Sequence, residues 1–351
     1  MTYTIEKVTT LIGARRYGDR DGNVGFILTD SRSLCFPEET LFFALKSERN
    51  DGHNYIPELY RRGVRNFVVS QVPKGYASDY PEANFLKVVN TLEALQRLAE
   101  RHRDEFNIPI VGITGSNGKT MVKEWLHQLL SPSMFVTRSP RSYNSQIGVP
   151  LSVWLLNEQT QVGVFEAGIS QPGEMLALRD IIQPTIAVLT YLGAAHQENF
   201  ESLEAKCREK IILFHDAETI VYNGDDKTVS GVVNEYKDYK GEKLFWSFRD
   251  TKAPFFVKNV EKKGNLSIIT YIYKGEEDSY SLPFIDEASV TNSIIAAVVS
   301  RRLGLSAEEL DKRMALLEPV AMRLEVKEGQ HGCTLINDSY NSDINSLDIA
   351  L

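Results

Sequence analysis

Six consecutive residues, Gly115-Ser116-Asn117-Gly118-Lys119-Thr120, carry the groups that a chain of phosphates asks of a protein. Glycines let backbone N–H groups close on phosphate oxygens, and a helix starting there adds the positive end of its dipole. Lys119 supplies charge for β- and γ-phosphates, and the Thr120 hydroxyl suits Mg2+. The general form of such a loop has a glycine five residues before Gly118. Here that position is Ile113, and the nearest glycines are Gly112 and Gly115.

Other residues with chemical potential are weaker on their own. Glu166 ends the apolar run Val162-Gly163-Val164-Phe165. A carboxylate at the carboxyl end of a central strand faces the ligand crevice of a parallel sheet, where it can hold Mg2+. Read alone, Glu166 is better taken as a strand-end surface glutamate. His196 follows an apolar stretch ending at Tyr191, and a lone histidine is more often structural. Lys210 closes Glu204-Ala205-Lys206-Cys207-Arg208-Glu209-Lys210, by composition a solvated helix face, and nothing there separates Lys210 from Lys206. Ser142 and Asn144 lie in a polar run before Pro150 that ordinary turn chemistry explains.

The elements that must position these groups can be read from periodicity. Ile110-Val111-Gly112-Ile113 reads as a buried strand, and Val122, Trp125, Leu126, Leu129 and Leu130 form the apolar stripe of a helix packed on a sheet. Further strands are predicted at 162–166, 185–191 and 219–222, with helices between. That alternation argues a mostly parallel, doubly wound sheet over 107–318. Segments 244–248 and 267–273 alternate like antiparallel strands and are expected to extend an edge of it. Residues 1–106 read as a smaller α/β domain, with strands at 25–28, 40–45 and 66–69, a helix from Ile56 to Arg62, and a helix capped by Thr91. From Pro319 the pattern restarts with strands at 324–326 and 334–336 and a helix near Asn345. A doubly wound domain cannot close on one turn of helix, so 319–351 is read as the incomplete start of a third domain in a longer protein.

Composition narrows the class. The chain has 351 residues, 42% hydrophobic and 25% charged, with a net charge of −8. An acidic chain disfavours non-specific nucleic-acid binding. Cys35, Cys207 and Cys333 are too few and too dispersed for a disulfide framework or a zinc cluster. The N-terminus shows no secretory signal, and the longest apolar run, Ile294 to Val299, is far too short to span a bilayer. A soluble, cytoplasmic protein with no membrane insertion is expected.

Taken together, the motifs resemble those of the Mur ligases, the ATP-dependent amide ligases of peptidoglycan precursor synthesis. The loop Thr114 to Thr120 lacks the first glycine, as it does in that family. Phe165 to Met175 and Asp338-Ser339-Tyr340-Asn341, with Asn345-Ser346-Leu347, are similar to segments of the member that adds a dipeptide. Thr29-Asp30-Ser31-Arg32 and Asp51-Gly52-His53 resemble a UDP-binding domain.

The resemblance implies ATP and Mg2+ as cofactors. Its implied substrates are UDP-N-acetylmuramoyl-tripeptide and D-alanyl-D-alanine, joined through an acyl phosphate. It implies ATP contacts at Gly115, Ser116, Asn117, Gly118, Lys119, Thr120, Asn292, Arg323 and Asp338. Two Mg2+ would be held by Thr120, Glu166, His196 and a carbamylated Lys210, with Lys119, Lys210, His196 and Glu166 as the catalytic set. Substrate contacts fall on Ser31, Arg32, Lys46, Asp51, His53, Ser142 and Asn144. Because the third domain closes this site in the family, the chain by itself is expected to ligate poorly. The resemblance also admits a fused alanine racemase domain beyond Leu351. Departures occur at Ser145, Ala288-Ser289, Tyr191-Leu192-Gly193 and Ser47, where the family has other residues. Two alternatives stay open: the Mur ligase that adds the third amino acid, and a P-loop ATPase that is not a ligase.

Overall fold

The computed structural model describes residues 1–193, 197–237, 239–321, 325–328 and 333–337. Two compact units emerge. One holds Met1–Asn107 together with Gln146–Glu158, and the other holds Ile108–Ser145 and the described residues from Gln159 onward.

The first unit is built on a five-stranded sheet in the order Arg15–Tyr17, Asn84–Lys87, Asn66–Val69, Thr40–Phe43, Phe26–Leu28. The first pair is antiparallel and the others are parallel. Side chains alternate across a strand, so Leu41 and Phe43 enter one apolar cluster and Phe42 the opposite one. Both faces are therefore covered, as a parallel sheet requires. The helix Thr91–Arg103 packs on one face through Leu95 and Leu98. Its cap is Asn90, whose side chain accepts from the Leu92 and Glu93 N–H groups, and not the expected Thr91. The Thr91 hydroxyl donates instead to the Ala44 carbonyl, 3.1 Å away.

The segment Gln146–Glu158 also belongs to this unit. Trp154 packs on Tyr3 with ring centroids 5.3 Å apart, and its Nε1 donates to the Gly25 carbonyl at 3.0 Å. His102 Nε2 meets the Leu156 carbonyl at 3.0 Å while its Nδ1 meets the Tyr3 hydroxyl at 2.8 Å. Nε2 therefore carries the proton and Nδ1 accepts.

In the second unit a six-stranded sheet runs Glu242–Lys243, Thr219–Val221, Ile186–Leu189, Ile110–Thr114, Val162–Glu166, Val136–Arg138, all parallel. The helix Lys119–Leu130 buries Val122, Trp125, Leu126, Leu129 and Leu130, the stripe read from sequence. The long helix Glu287–Arg302 is buried from Ile294 to Ser300 without interruption, so its apolar run marks a core helix.

The expectation for residues 244–248 and 267–273 needs correction. Leu244 N–H and Trp246 N–H do continue the parallel sheet's edge, donating to Ile220 and Tyr222 carbonyls. Residues 267–273, however, lie inside a separate four-stranded sheet ordered Trp246–Ser247, Phe255–Lys263, Leu266–Tyr273, Glu276–Leu282. Alternation identifies a half-buried strand but not the sheet it joins. Strands Glu325–Glu328 and Thr334–Asn337 pair antiparallel, and the helix expected near Asn345 lies outside the described residues.

Candidate active site

The strand Ile110–Thr114 has Val162–Glu166 on one side and Ile186–Leu189 on the other. Strand order reverses at this point, and crevices for ligands open at the carboxyl ends of such strands. The phosphate loop leaves from here. Gly115 has φ +145°, and a Cβ on it would stand 2.0 Å from Thr190 Oγ1. Only glycine lets the loop lie this close to the segment after Leu189. There, Ser116 N–H donates to the Tyr191 carbonyl at 2.7 Å, and Thr190 Oγ1 donates to the Asn117 carbonyl at 2.6 Å. Gly118, at φ +86°, opens the helix Lys119–Leu130, which has no side-chain cap. A helix N-terminus that follows a glycine loop is suited to an anion. Lys119 Nζ donates to the carbonyls of Gly115 at 2.8 Å and Ser116 at 3.1 Å, so its charge sits across the loop.

Glu166 is fully buried, not a surface residue. Its Oε2 accepts from Thr120 Oγ1 at 3.1 Å and from Asn144 Nδ2 at 3.5 Å. Ser142 Oγ lies 3.1 Å from Thr120 Oγ1. The structure thus brings Thr120, Ser142, Asn144 and Glu166 together. Gly168 permits this, since a Cβ there would come within 2.8 Å of the Asn144 side chain. A buried carboxylate beside a hydroxyl is a set of hard oxygen donors, and it fits Mg2+. The sequence reading missed Lys123, whose fully buried Nζ lies 3.1 Å from Glu166 Oε1. The available signal was a lysine set directly between members of the buried helical stripe.

Lys206 and Lys210 are both buried on the helix Leu203–Lys210, so the solvated-face reading of that helix is wrong. Each finds a backbone carbonyl: Lys206 Nζ donates to Gly193 at 2.5 Å, and Lys210 Nζ to Gly115 at 3.2 Å. Geometry therefore separates the pair, because Lys210 reaches the phosphate loop itself. Burial, then the nearby charges of Lys119 and Lys206, push the Lys210 amine well below its ordinary pKa. Asn292 sits on the helix Glu287–Arg302 with Oδ1 where a Gly118 side chain would go, against the back of the loop. His196, Arg323 and Asp338 lie outside the described residues.

In the first unit an open cleft is lined by Asp30, Ser31, Arg32, Lys46, Asn50 and Tyr55. Arg32 donates to both Asp30 oxygens, at 2.9 and 2.6 Å, and these bonds hold the carboxyl down at about 2. Asp51 caps a short turn and accepts from His53 Nδ1 at 2.6 Å, while His53 Nε2 accepts from Ser70 N–H at 3.1 Å. Both ring nitrogens of His53 are used inside the unit, which makes it a bracket holding the turn.

The parallel sheet, the glycine loop at its switch point and the buried carboxylate define a nucleotide-dependent enzyme of the P-loop class. Residues 113–300 match the Mur ligase middle domain and residues 23–103 the Mur ligase family catalytic domain, so the chain belongs to the Mur ligase family. It is accordingly an ATP-dependent ligase. It is 29% identical over 93% of its length to the UDP-N-acetylmuramoyl-tripeptide–D-alanyl-D-alanine ligase of Bacillus subtilis, covering 69% of that protein. Among solved structures, MurF of Acinetobacter baumannii superposes with a TM-score of 0.89 at 23% identity, over 99% of this chain and 75% of that one. MurF ligase of Thermotoga maritima, in complex with ADP, gives 0.79 at 25% identity, over 92% and 73%.

Proposed function

We propose that the chain serves the reaction its relatives are named for, joining D-alanyl-D-alanine to UDP-N-acetylmuramoyl-tripeptide as ATP becomes ADP and phosphate. The observation that carries this reading is the Thr120–Glu166 contact at the N-terminus of the Lys119–Leu130 helix. A carboxylate is a poor acyl donor, and phosphorylating it installs a leaving group. The loop N–H groups and Lys119 hold the triphosphate and neutralise charge as the γ-phosphoryl passes to the tripeptide carboxylate. The amine of the dipeptide then attacks the acyl phosphate, forming the amide and releasing phosphate.

Mg2+, bound through Thr120, Glu166 and His196, would supply Lewis-acid stabilisation of the phosphate oxygens. Lys210 is suited to carbamylation, because burial beside Lys119 and Lys206 favours the neutral amine, the form that adds to carbon dioxide. The product is an anionic oxygen donor, which hard cations prefer over an ammonium. Asn292, Arg323 and Asp338 are assigned to the nucleotide, and Ser142 and Asn144 to the acceptor substrate. Residues 1–106, with Ser31, Arg32 and Lys46 in the cleft, are assigned to the UDP moiety, 107–318 to ATP and ligation, and 319–351 to the start of a third domain. A cytoplasmic site of action accords with substrates that are nucleotide-linked, and among the described residues no helix is long and apolar enough to cross a membrane.

The test is phosphate release from ATP with each substrate alone and with both. Release that requires both supports the ligase reading. Release that requires neither overturns it in favour of a P-loop ATPase of another kind.

A further inference from the structure

Lys123 follows Lys119 by one helical turn and is fully buried. An ammonium group removed from water is costly unless every N–H is matched. Here the matching is divided among three parts of the site. Nζ donates to the carbonyls of Ser139, at 2.9 Å, and Arg141, in the stretch that leads to Ser142 and Asn144. It pairs with Glu124 Oε1 at 2.9 Å on its own helix, and Glu124 Oε2 accepts in turn from Arg138 Nε at 2.9 Å. It also lies 3.1 Å from Glu166 Oε1, close enough to pair though not aligned as a hydrogen bond.

A methionine or leucine of similar volume would fill this slot, but removing the lysine alone leaves the buried Glu166 charge without its partner. What an apolar residue could not do is grip one oxygen of Glu166 and leave the other facing Thr120. Oε2 is the oxygen that meets Thr120 Oγ1 and Asn144 Nδ2, and Oε1 is the one on the lysine. The same ammonium ties down the backbone that presents Ser142 and Asn144.

We propose that Lys123 is a positioning residue for the ligase reaction: it fixes the Glu166 carboxylate from behind so that Oε2 is presented to the cation. This rests on the assignment of Glu166 and Thr120 to Mg2+. Groups that orient a metal ligand typically change metal affinity by about 10- to 100-fold when removed.

ADP binding is measured calorimetrically in Mg2+ and in EDTA for the wild type, Lys123→Met, Glu166→Gln and the double variant. The ratio of the two affinities reads how strongly cation and nucleotide are coupled. The wild type binds ADP more tightly with Mg2+. Lys123→Met lowers that ratio by about tenfold and leaves binding in EDTA, which depends on the loop and Lys119, near the wild-type value. The double variant matches Glu166→Gln, because Lys123 acts through Glu166. A wild-type ratio in Lys123→Met, or a further loss in the double variant, overturns the proposal. If instead Glu166→Gln itself keeps the wild-type ratio, the metal assignment of Glu166 is what fails. Should Lys123→Met not fold, Lys123→Arg keeps the charge on a differently shaped group, and its ratio must fall between the two extremes. An unchanged ratio there counts equally against the proposal.

Discussion

Replacing Gly118 with alanine would put a methyl carbon 2.4 Å from Oδ1 of Asn292 on a residue held at φ +86°. Two costs follow, and they can be separated. Left-handed backbone costs an L-residue about 1–2 kcal/mol. The Asn292 amide is buried on its helix with Nδ2 3.2 Å from Met121 Sδ, and it must rotate away from its present rotamer for about 1 kcal/mol more. The sum, about 2–3 kcal/mol, corresponds to a fall in Tm of about 2–4 °C per kcal/mol for a unit of this size. Gly118→Ala should also weaken ADP binding, because the first N–H groups of the helix turn with the loop. Asn292→Ala removes the obstacle but not the backbone strain. In that background Gly118→Ala should therefore cost only the left-handed term, leaving a coupling of about 1 kcal/mol between the sites. Urea unfolding of the four proteins reads this directly. Strict additivity would refute the clash, and a single variant within about 0.5 kcal/mol of wild type would refute the strain argument.

Burial holds His102 in its neutral form, with a pKa lowered from 6.5 to about 4. The unfolded chain takes that proton first, so the contribution is complete above pH 6.5 and is lost as pH falls towards 4, by about 3 kcal/mol. Urea midpoints across that window should slope for the wild type and flatten for His102→Gln; equal slopes would remove His102 as the cause. Arg32→Ala frees the Asp30 carboxyl to return towards its ordinary pKa and should weaken UDP binding without changing ADP binding. Unchanged affinity for UDP would sink the assignment of the cleft. Lys210→Met should bind ADP yet lose phosphate release, and bicarbonate should raise wild-type turnover alone. A bicarbonate response that survives in the variant would place the modification elsewhere.

The phosphate loop was legible because three local signals agree: a buried strand, two glycines that must lie at positive φ, and the apolar stripe of the helix that follows. Glu166 was legible as a strand end but not as a buried group, since its burial depends on Asn144, Gly168 and Lys123, which converge only through the sheet. The lysines were least readable. Composition marks Leu203–Lys210 as a solvated helix, and what buries Lys206 and Lys210 is a pair of carbonyls at Gly193 and Gly115, distant in sequence. Thr91 was mistaken for a cap because Asn90 and Thr91 are both good capping types and only the Ala44 carbonyl separates their roles. Nor does any local pattern tie residues 146–158 to the first unit, whose claim on Trp154 comes from Tyr3.

That last feature bears on how the chain is made. A ribosome releases residues in order, and the first unit lacks Trp154 and the Leu156 carbonyl until its second segment has emerged. By then the strand Ile110–Thr114, the phosphate loop and the helix Lys119–Leu130 have already left the exit tunnel. The first unit therefore cannot be completed before the second has been begun. His102 must wait for its carbonyl while the nucleotide unit is begun, so a pause in translation between residues 107 and 158 would leave both unfinished at once.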